Sequence, residues 1–218
     1  MEIQEIINQI FSGNSEFTNS HNKEYFDAIS GGQHPYITLI TCCDSRVPVN
    51  AVLPDSVNRI FTIQNIGNQI LSSEGSVDYG IYHLKTPLLL ILGHSDCGAV
   101  KAYLKGYNNE PESIKSNLNL LKPVLEEKSN NGEKLCNCIG SNVDYQVSVA
   151  YNKYHNLINE GKLTIIGAYY DFKGDFKVKP GSIVITNVNN NKNIEEIKKM
   201  NCFRNLDPKI ISSRFNRL

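Results

Sequence analysis

A strand that ends in three chemically active side chains constrains this chain more than any other feature. Residues 36–48 read Tyr-Ile-Thr-Leu-Ile-Thr-Cys-Cys-Asp-Ser-Arg-Val-Pro. The run up to Thr41 is apolar and β-branched, the pattern of a buried strand, and Cys42, Asp44 and Arg46 follow at once. In α/β proteins the carboxyl ends of the strands are where functional groups gather. Alternation along an extended chain turns Cys42 and Asp44 to one face and Cys43 to the other.

A second stretch, residues 88–98, has the same form: Leu-Leu-Leu-Ile-Leu-Gly-His-Ser-Asp-Cys-Gly. Each active residue alone has an ordinary explanation. A cysteine closing a strand is commonly a small buried hydrophobe, a histidine in a turn is a hydrogen-bonded polar residue, and Asp-x-Arg is a local ion pair. Two strand ends that deliver Cys and His-x-x-Cys together predict a metal site of Cys42, His94 and Cys97. Zinc prefers thiolate and imidazole, and three protein ligands with one open position mark a catalytic site. Zinc with two thiolates is formally neutral, so it acidifies water less than a three-histidine site does. Asp44, kept ionised by a bidentate pair with Arg46, can then accept the hydrogen of the metal-bound nucleophile. Ser45 reads as turn structure, because no histidine accompanies it locally.

The remaining thiols have less to say. Cys43 is turned away from the site by strand alternation. Cys136-x-Cys138 reads as two ordinary loop or helix-flank thiols or as a regulatory redox pair, and Cys202 as a tail thiol. Lys plus Arg and Asp plus Glu both number 22, which removes the electrostatic case for nucleic acid or an anionic membrane. No stretch approaches the ~20 apolar residues of a spanning helix. Glu2 and Glu5 sit where a secretory signal would be basic and apolar. Six cysteines without an export signal point to reduced thiols in the cytoplasm.

Along the chain, Ile3, Ile6, Ile7, Ile10 and Phe11 have helical spacing, and a second helix covers about 22–29. These helices either dock on their own domain or form an arm over a partner subunit. Strands are expected at 36–42, 59–64, 88–94 and 162–170, with an antiparallel strand near 176–187. Helices are expected from a Ser72 or Ser73 cap to Leu84, over 98–104, 112–128 and 142–159, and over Ile194–Met200. Strands alternating with helices predict a mainly parallel sheet of about four strands plus an antiparallel edge strand, flanked by helices. No internal repeat or long linker divides the chain. It reads as one domain over 1–218: an N-terminal helical arm (1–32), a catalytic core (33–187) and a tail (188–218) of unassigned role.

Cys42-Cys-Asp-Ser-Arg46 with His94-Ser-Asp-Cys97 resembles the signature of the β-class carbonic anhydrases. The resemblance runs from about Gln33 to Leu104 and resumes near Asn142-Val-Asp-Tyr-Gln146 and Gly167-Ala-Tyr-Tyr-Asp171. It implies reversible hydration of carbon dioxide to bicarbonate and a proton by zinc-bound hydroxide. Cys42, His94 and Cys97 would be the zinc ligands, and Asp44 with Arg46 the orienting dyad. An inactive state with Asp44 as fourth ligand is also implied. By the same resemblance Gln33, Phe61, Ile66, Tyr79 and Gly98 belong to the substrate pocket, partly that of the neighbouring subunit. Read on their own, Phe61, Ile66 and Tyr79 are core residues. Family members assemble as homodimers or multiples of dimers, with N-terminal helices reaching over the partner, which favours the arm.

One departure concerns regulation. Gln64-Asn65 stands where the family often has Arg-Asn, and the chain has no tryptophan, so the bicarbonate switch of one subgroup is expected to be absent. Two other readings remain: a related zinc hydrolase acting on carbon disulfide or carbonyl sulfide, and a non-catalytic zinc-holding scaffold. Arg46 weighs against the scaffold, since a closed four-ligand site has little use for a guanidinium beside its carboxylate.

Overall fold

The computed structural model describes residues 1–217, and they fall into two units, Met1–His34 and Pro35–Leu218. The first consists of α1 (Ile3–Ser20) and α2 (Lys23–Ser30). α1 runs well past the expected end at residue 11, and neither helix contains a buried residue. Asn22 caps α2 by accepting a hydrogen bond from the Tyr25 N–H. Between the helices, Phe17, His21 and Tyr25 pack their rings with centroids 4.2 and 4.1 Å apart.

The second unit is built on five strands: β1 (Ile37–Cys42), β2 (Ile60–Asn65), β3 (Leu88–His94), β4 (Thr164–Asp171) and β5 (Ser182–Val188). Their order is β2-β1-β3-β4-β5, and every pair is parallel except β4 with β5. This is the mainly parallel sheet with an antiparallel edge strand that the alternation predicted, although β5 begins at Ser182 and not near 176. The two central strands carry continuous apolar runs because helices cover both faces: every residue of β1 is buried, and all of β3 after Leu88.

Several helices differ from expectation for identifiable reasons. The segment after β2 enters α3 (Glu74–Asp78) through a tight turn with no side-chain cap. The Ser72 hydroxyl donates to the Gln69 carbonyl, and the Ser73 hydroxyl accepts from Asn65, so neither is free to cap. α3 then widens into a π-turn over Tyr79–His83. Gly80 in that turn lies flat on β1, where a Cβ would stand 2.2 Å from Thr38 Oγ1.

After α4 (Gly98–Lys105), the helix expected over 112–128 is two, α5 (Glu112–Asn119) and α6 (Lys122–Asn130). Pro123, in the first turn of α6, has no N–H to continue the hydrogen-bond ladder. The helix expected from 142 begins at Leu135 and runs to Asn159 as α7. Buried Cys138 and Ile139 extend its inner face, so the Cys136-x-Cys138 pair is helical. The tail contributes α8 (Ile194–Ile197) and α9 (Pro208–Arg214). It packs Ile197, Phe203 and Phe215 against Val188 of β5, and Arg217 pairs with Asp144 of α7 at 2.9 Å.

Candidate metal centre

β1 and β3 lie side by side in register from Ile37 opposite Leu88 to Thr41 opposite Leu92, so their carboxyl ends open at one level. The Thr41 hydroxyl ties those ends together by donating to the Leu92 carbonyl at 2.9 Å. Beyond this point Cys42, His94 and Cys97 converge, with one ligand atom from each within 4.8 Å of the others and all three residues buried. Cys97 returns to the cluster through a turn in which Asp96 adopts a left-handed φ of 62°, a conformation aspartate tolerates better than most residues.

The donors are prepared for a cation. His94 Nδ1 lies 2.8 Å from the Ser95 carbonyl, which can only accept. The ring proton therefore sits on Nδ1, and the Nε2 lone pair is left free. That Nε2 is buried and has no hydrogen-bond partner, a costly state unless something accepts its lone pair. The interaction between the two neighbouring thiols holds that of Cys42 below the usual thiol range and, with burial, pushes that of Cys97 above it. One thiolate forms readily here, and the second calls for added positive charge. Two sulfurs and an imidazole nitrogen enclosed in this way can hold a thiophilic metal ion.

Asp44 borders the cluster, with Oδ2 4.0 Å from His94 Nε2. Arg46 holds it through Nε to Oδ1 at 2.9 Å and Nη2 to Oδ2 at 2.7 Å, and the Arg46 backbone N–H adds a third bond at 3.0 Å. The side-chain bonds from Arg46 are the main cause of the carboxyl's fall to about 2. Cys43 is exposed and lies outside the cluster.

Other groups around the centre were given no role by the sequence, although the resemblance resumes through Asn142–Gln146 and at Asp171. The Gly67 backbone is among the groups that hold the Cys42 thiol below its usual range, and its carbonyl accepts from Asn142 Nδ2 at 2.9 Å. Gln146, one turn along α7, donates to Asn142 at 3.0 Å and accepts from the Ile70 N–H at 2.9 Å. Two buried amides at i and i+4 on an apolar helix face were the available signal. On the far side, fully buried Asp171 accepts backbone N–H bonds from Lys173, Gly174, Asp175 and Phe176, and Ser95 donates to it at 3.1 Å. This carboxylate folds the turn after β4 and sets Phe172 with its ring 6.1 Å from that of His94.

The residues expected in the pocket divide. Ile66 packs into the same apolar cluster as Cys42 and Cys97. Gly98 opens α4 directly after Cys97, and a Cβ there would meet nothing within 4 Å. Phe61 pairs with Thr38, four residues before Cys42 on β1, so it stands about 13 Å along the sheet from the cluster. Tyr79 stacks near Phe61 with centroids 5.7 Å apart. These two rings do not line this chain's own centre. Gln33 lies exposed in the N-terminal unit. Cys136, Cys138 and Cys202 are free thiols outside the cluster.

Fold and site together define an α/β protein with a buried thiol–imidazole cluster, able to hold a metal ion, at its central strand ends. Residues 37–175 match the carbonic anhydrase family model. The sequence is 31% identical over 169 residues to a carbonic anhydrase of Synechocystis, covering 69% of this chain and 61% of that one. It is 30% identical over 138 residues to a carbonic anhydrase of Helicobacter pylori, covering 56% and 62%. In fold it is similar to a tetrameric β-carbonic anhydrase from Sordaria macrospora, with a TM-score of 0.73, 23% identity and coverage of 83% and 96%. The β-carbonic anhydrase CafA of Aspergillus fumigatus gives 0.71, 22% identity and coverage of 96% and 99%. This chain belongs to the β class of the carbonic anhydrase family. Its alignments span about three-fifths of the length of these two curated relatives.

Proposed function

We propose that this chain catalyses the reversible hydration of carbon dioxide to bicarbonate and a proton. The observation that carries the reading is an ionised, arginine-paired carboxylate 4.0 Å from the unpartnered His94 Nε2, at the edge of the Cys42–His94–Cys97 cluster. Cys42 and Cys97 through sulfur and His94 through Nε2 would hold zinc. Zinc bound there supplies the Lewis acidity that makes water a nucleophile near neutral pH.

The protein's own groups do the rest. Arg46 keeps Asp44 ionised, so Asp44 can only accept. It accepts a hydrogen bond from the attacking oxygen and so directs a lone pair of that oxygen at the carbon of carbon dioxide. A C–O bond forms, bicarbonate leaves, and the proton passes to buffer. Ser95, by accepting from His94 Nδ1, holds the imidazole in the ligating tautomer. Ile66 and Gly98 adjoin the centre and are assigned to the pocket wall.

Phe61 and Tyr79 stand along the sheet from the centre of their own chain, and we assign them to a second copy's pocket in a homodimer or a multiple of dimers. The two N-terminal helices, which contain no buried residue, are then the arm that covers the partner. Among the described residues no helix is long and apolar enough to cross a membrane. A site built on free thiols suits the reducing cytoplasm, where we place the protein; its recovery in an oxidising compartment on cell fractionation would count against that placement.

Stopped-flow hydration of carbon dioxide on protein of verified zinc content, from about pH 6.5 to 9, tests the assignment. Turnover above buffer that disappears in Cys42→Ala is the expected result. A zinc-loaded chain that is inactive toward carbon dioxide at every pH, yet hydrolyses carbon disulfide, would overturn it.

A further inference from the structure

Arg46 is held by more than its dyad partner. While Nε and part of Nη2 engage Asp44, Nη1 donates to Asp96 Oδ2 at 3.0 Å, and Nη2 also donates to the Asp96 carbonyl at 3.2 Å. The guanidinium carbon lies 5.1 Å from the centroid of the Phe172 ring, within cation–π range. Asp96 is itself anchored: Lys101 of α4 pairs with it, and Lys173 reaches it at 3.5 Å from the turn after β4. Its backbone sits at a left-handed φ of 62°, the kind of unfavourable conformation that clusters at functional sites. Phe172 is placed by the buried Asp171 carboxylate and the Ser95 hydroxyl, to which its own N–H donates. Three separate segments thus converge on one guanidinium whose side chain is 47% exposed. A surface arginine paired with one carboxylate would keep much of its rotamer freedom.

We propose that Asp96 and Phe172 are positioning residues that lock the Arg46 guanidinium, so that Asp44 keeps one orientation toward the metal centre. Arg46 cannot follow Asp44 if that carboxylate turns toward the metal, because Asp96 and Phe172 retain the guanidinium. Asp44 would then have to give up both of its side-chain bonds. A loose arginine would move with it, and the orienting geometry would blur. The inference deepens the proposed hydration activity by naming what makes the dyad rigid.

The test is nitrogen-15 relaxation of the arginine Nε–H groups in the zinc-loaded chain, comparing the parent with Asp96→Asn and Phe172→Leu. Asparagine tolerates the left-handed backbone at position 96, and Phe172 lies on a different segment, so the two variants fail to fold for different reasons if they fail at all. In the parent, the Arg46 Nε–H is expected near the rigid limit of about 0.85 in order parameter. In each variant it falls toward about 0.6 or lower. The Arg59 Nε–H, whose guanidinium pairs with Asp55 at 2.9 Å, is expected to stay unchanged and so excludes general loosening. With zinc content equal, kcat falls about two- to five-fold, the size expected of one partly exposed ion pair, at constant KM. An Arg46 as rigid in both variants as in the parent overturns the lock whatever the activity. A mobile Arg46 with unaltered kcat overturns its link to Asp44. A chain without hydration activity would defeat the functional assignment and still leave the lock to be judged by relaxation.

Discussion

The two units of this chain treat their apolar side chains in opposite ways. In Pro35–Leu218 the apolar runs are enclosed: Leu39, Ile40, Leu89, Ile91 and Leu92 are wholly buried, and the ends of their strands bring Cys42, His94 and Cys97 to one point. In Met1–His34 the apolar stripe is just as regular, yet Ile3, Ile10 and Phe11 are each more than 60% exposed. Periodicity thus foretells which face of an element is apolar, but not whether the same chain covers it. On the assignment proposed above, the first unit is the arm laid on a partner and the second the scaffold that holds the cluster. Four experiments break or sharpen that contrast.

The largest effect is expected inside the scaffold. Cys42→Ala removes one of three ligands and should cut zinc affinity more than ~100-fold, beyond the loss typical of an outer-sphere partner. Hydration should fall to the buffer rate, with metal content read by elemental analysis. Next comes Asp44→Asn, which leaves the ligands in place but removes the negative charge and replaces one acceptor oxygen by an N–H donor. Zinc content should be unchanged and kcat should fall on the order of 100-fold.

In the parent, the Asp44 carboxyl is held at about 2 against an ordinary value of 3.8, chiefly by the Arg46 side-chain bonds. The folded value lies below the unfolded one, so its stabilisation is fully present above pH 3.8 and is lost as pH falls through about 2. Urea denaturation of parent and Asp44→Asn should therefore converge toward acid pH; a gap that is constant down to about pH 2 would refute the pairing.

Asn142→Ala acts one step further out. It strands the Gly67 carbonyl, in the loop whose backbone helps hold the Cys42 thiol below its usual range. A cost of about 1–3 kcal/mol in unfolding free energy is expected from the unsatisfied group, together with roughly ten-fold weaker zinc binding in a chelator competition. The smallest effect on folding belongs to the other unit. Phe11→Ala should change the unfolding free energy by no more than about 0.5 kcal/mol at concentrations where the chain is monomeric. Sedimentation should nevertheless show weaker self-association. A large loss of monomer stability would mean that the helix is covered by its own chain, and the contrast between the units would collapse.

The amino-acid order went a long way toward the site. His-x-x-Cys and Cys-x-Asp-x-Arg were legible because each follows an apolar run long enough to be a buried strand, and strand alternation separates Cys42 from Cys43 without further information. The helix boundaries were less legible, for local reasons. Pro123 splits the segment at 112–130 into α5 and α6, and Gly140 conceals that α7 already begins at Leu135. At 72–73 the serine hydroxyls go to Gln69 and Asn65, partners visible only once the turn is folded.

What the sequence by itself determined is the set of reactive groups and the strand ends that carry them, because both depend on residues adjacent in the chain. Only tertiary structure decided the rest. It placed β3 beside β1, so that two distant stretches make one cluster. It ran Asn142 to Gly67 across the fold, brought Asp96 and Phe172 onto Arg46, and left Phe61 and Tyr79 away from their own chain's centre. Such contacts join segments tens of residues apart, and no local spacing encodes them. They arise when buried polar groups must find partners wherever the packed sheet and helices happen to bring them.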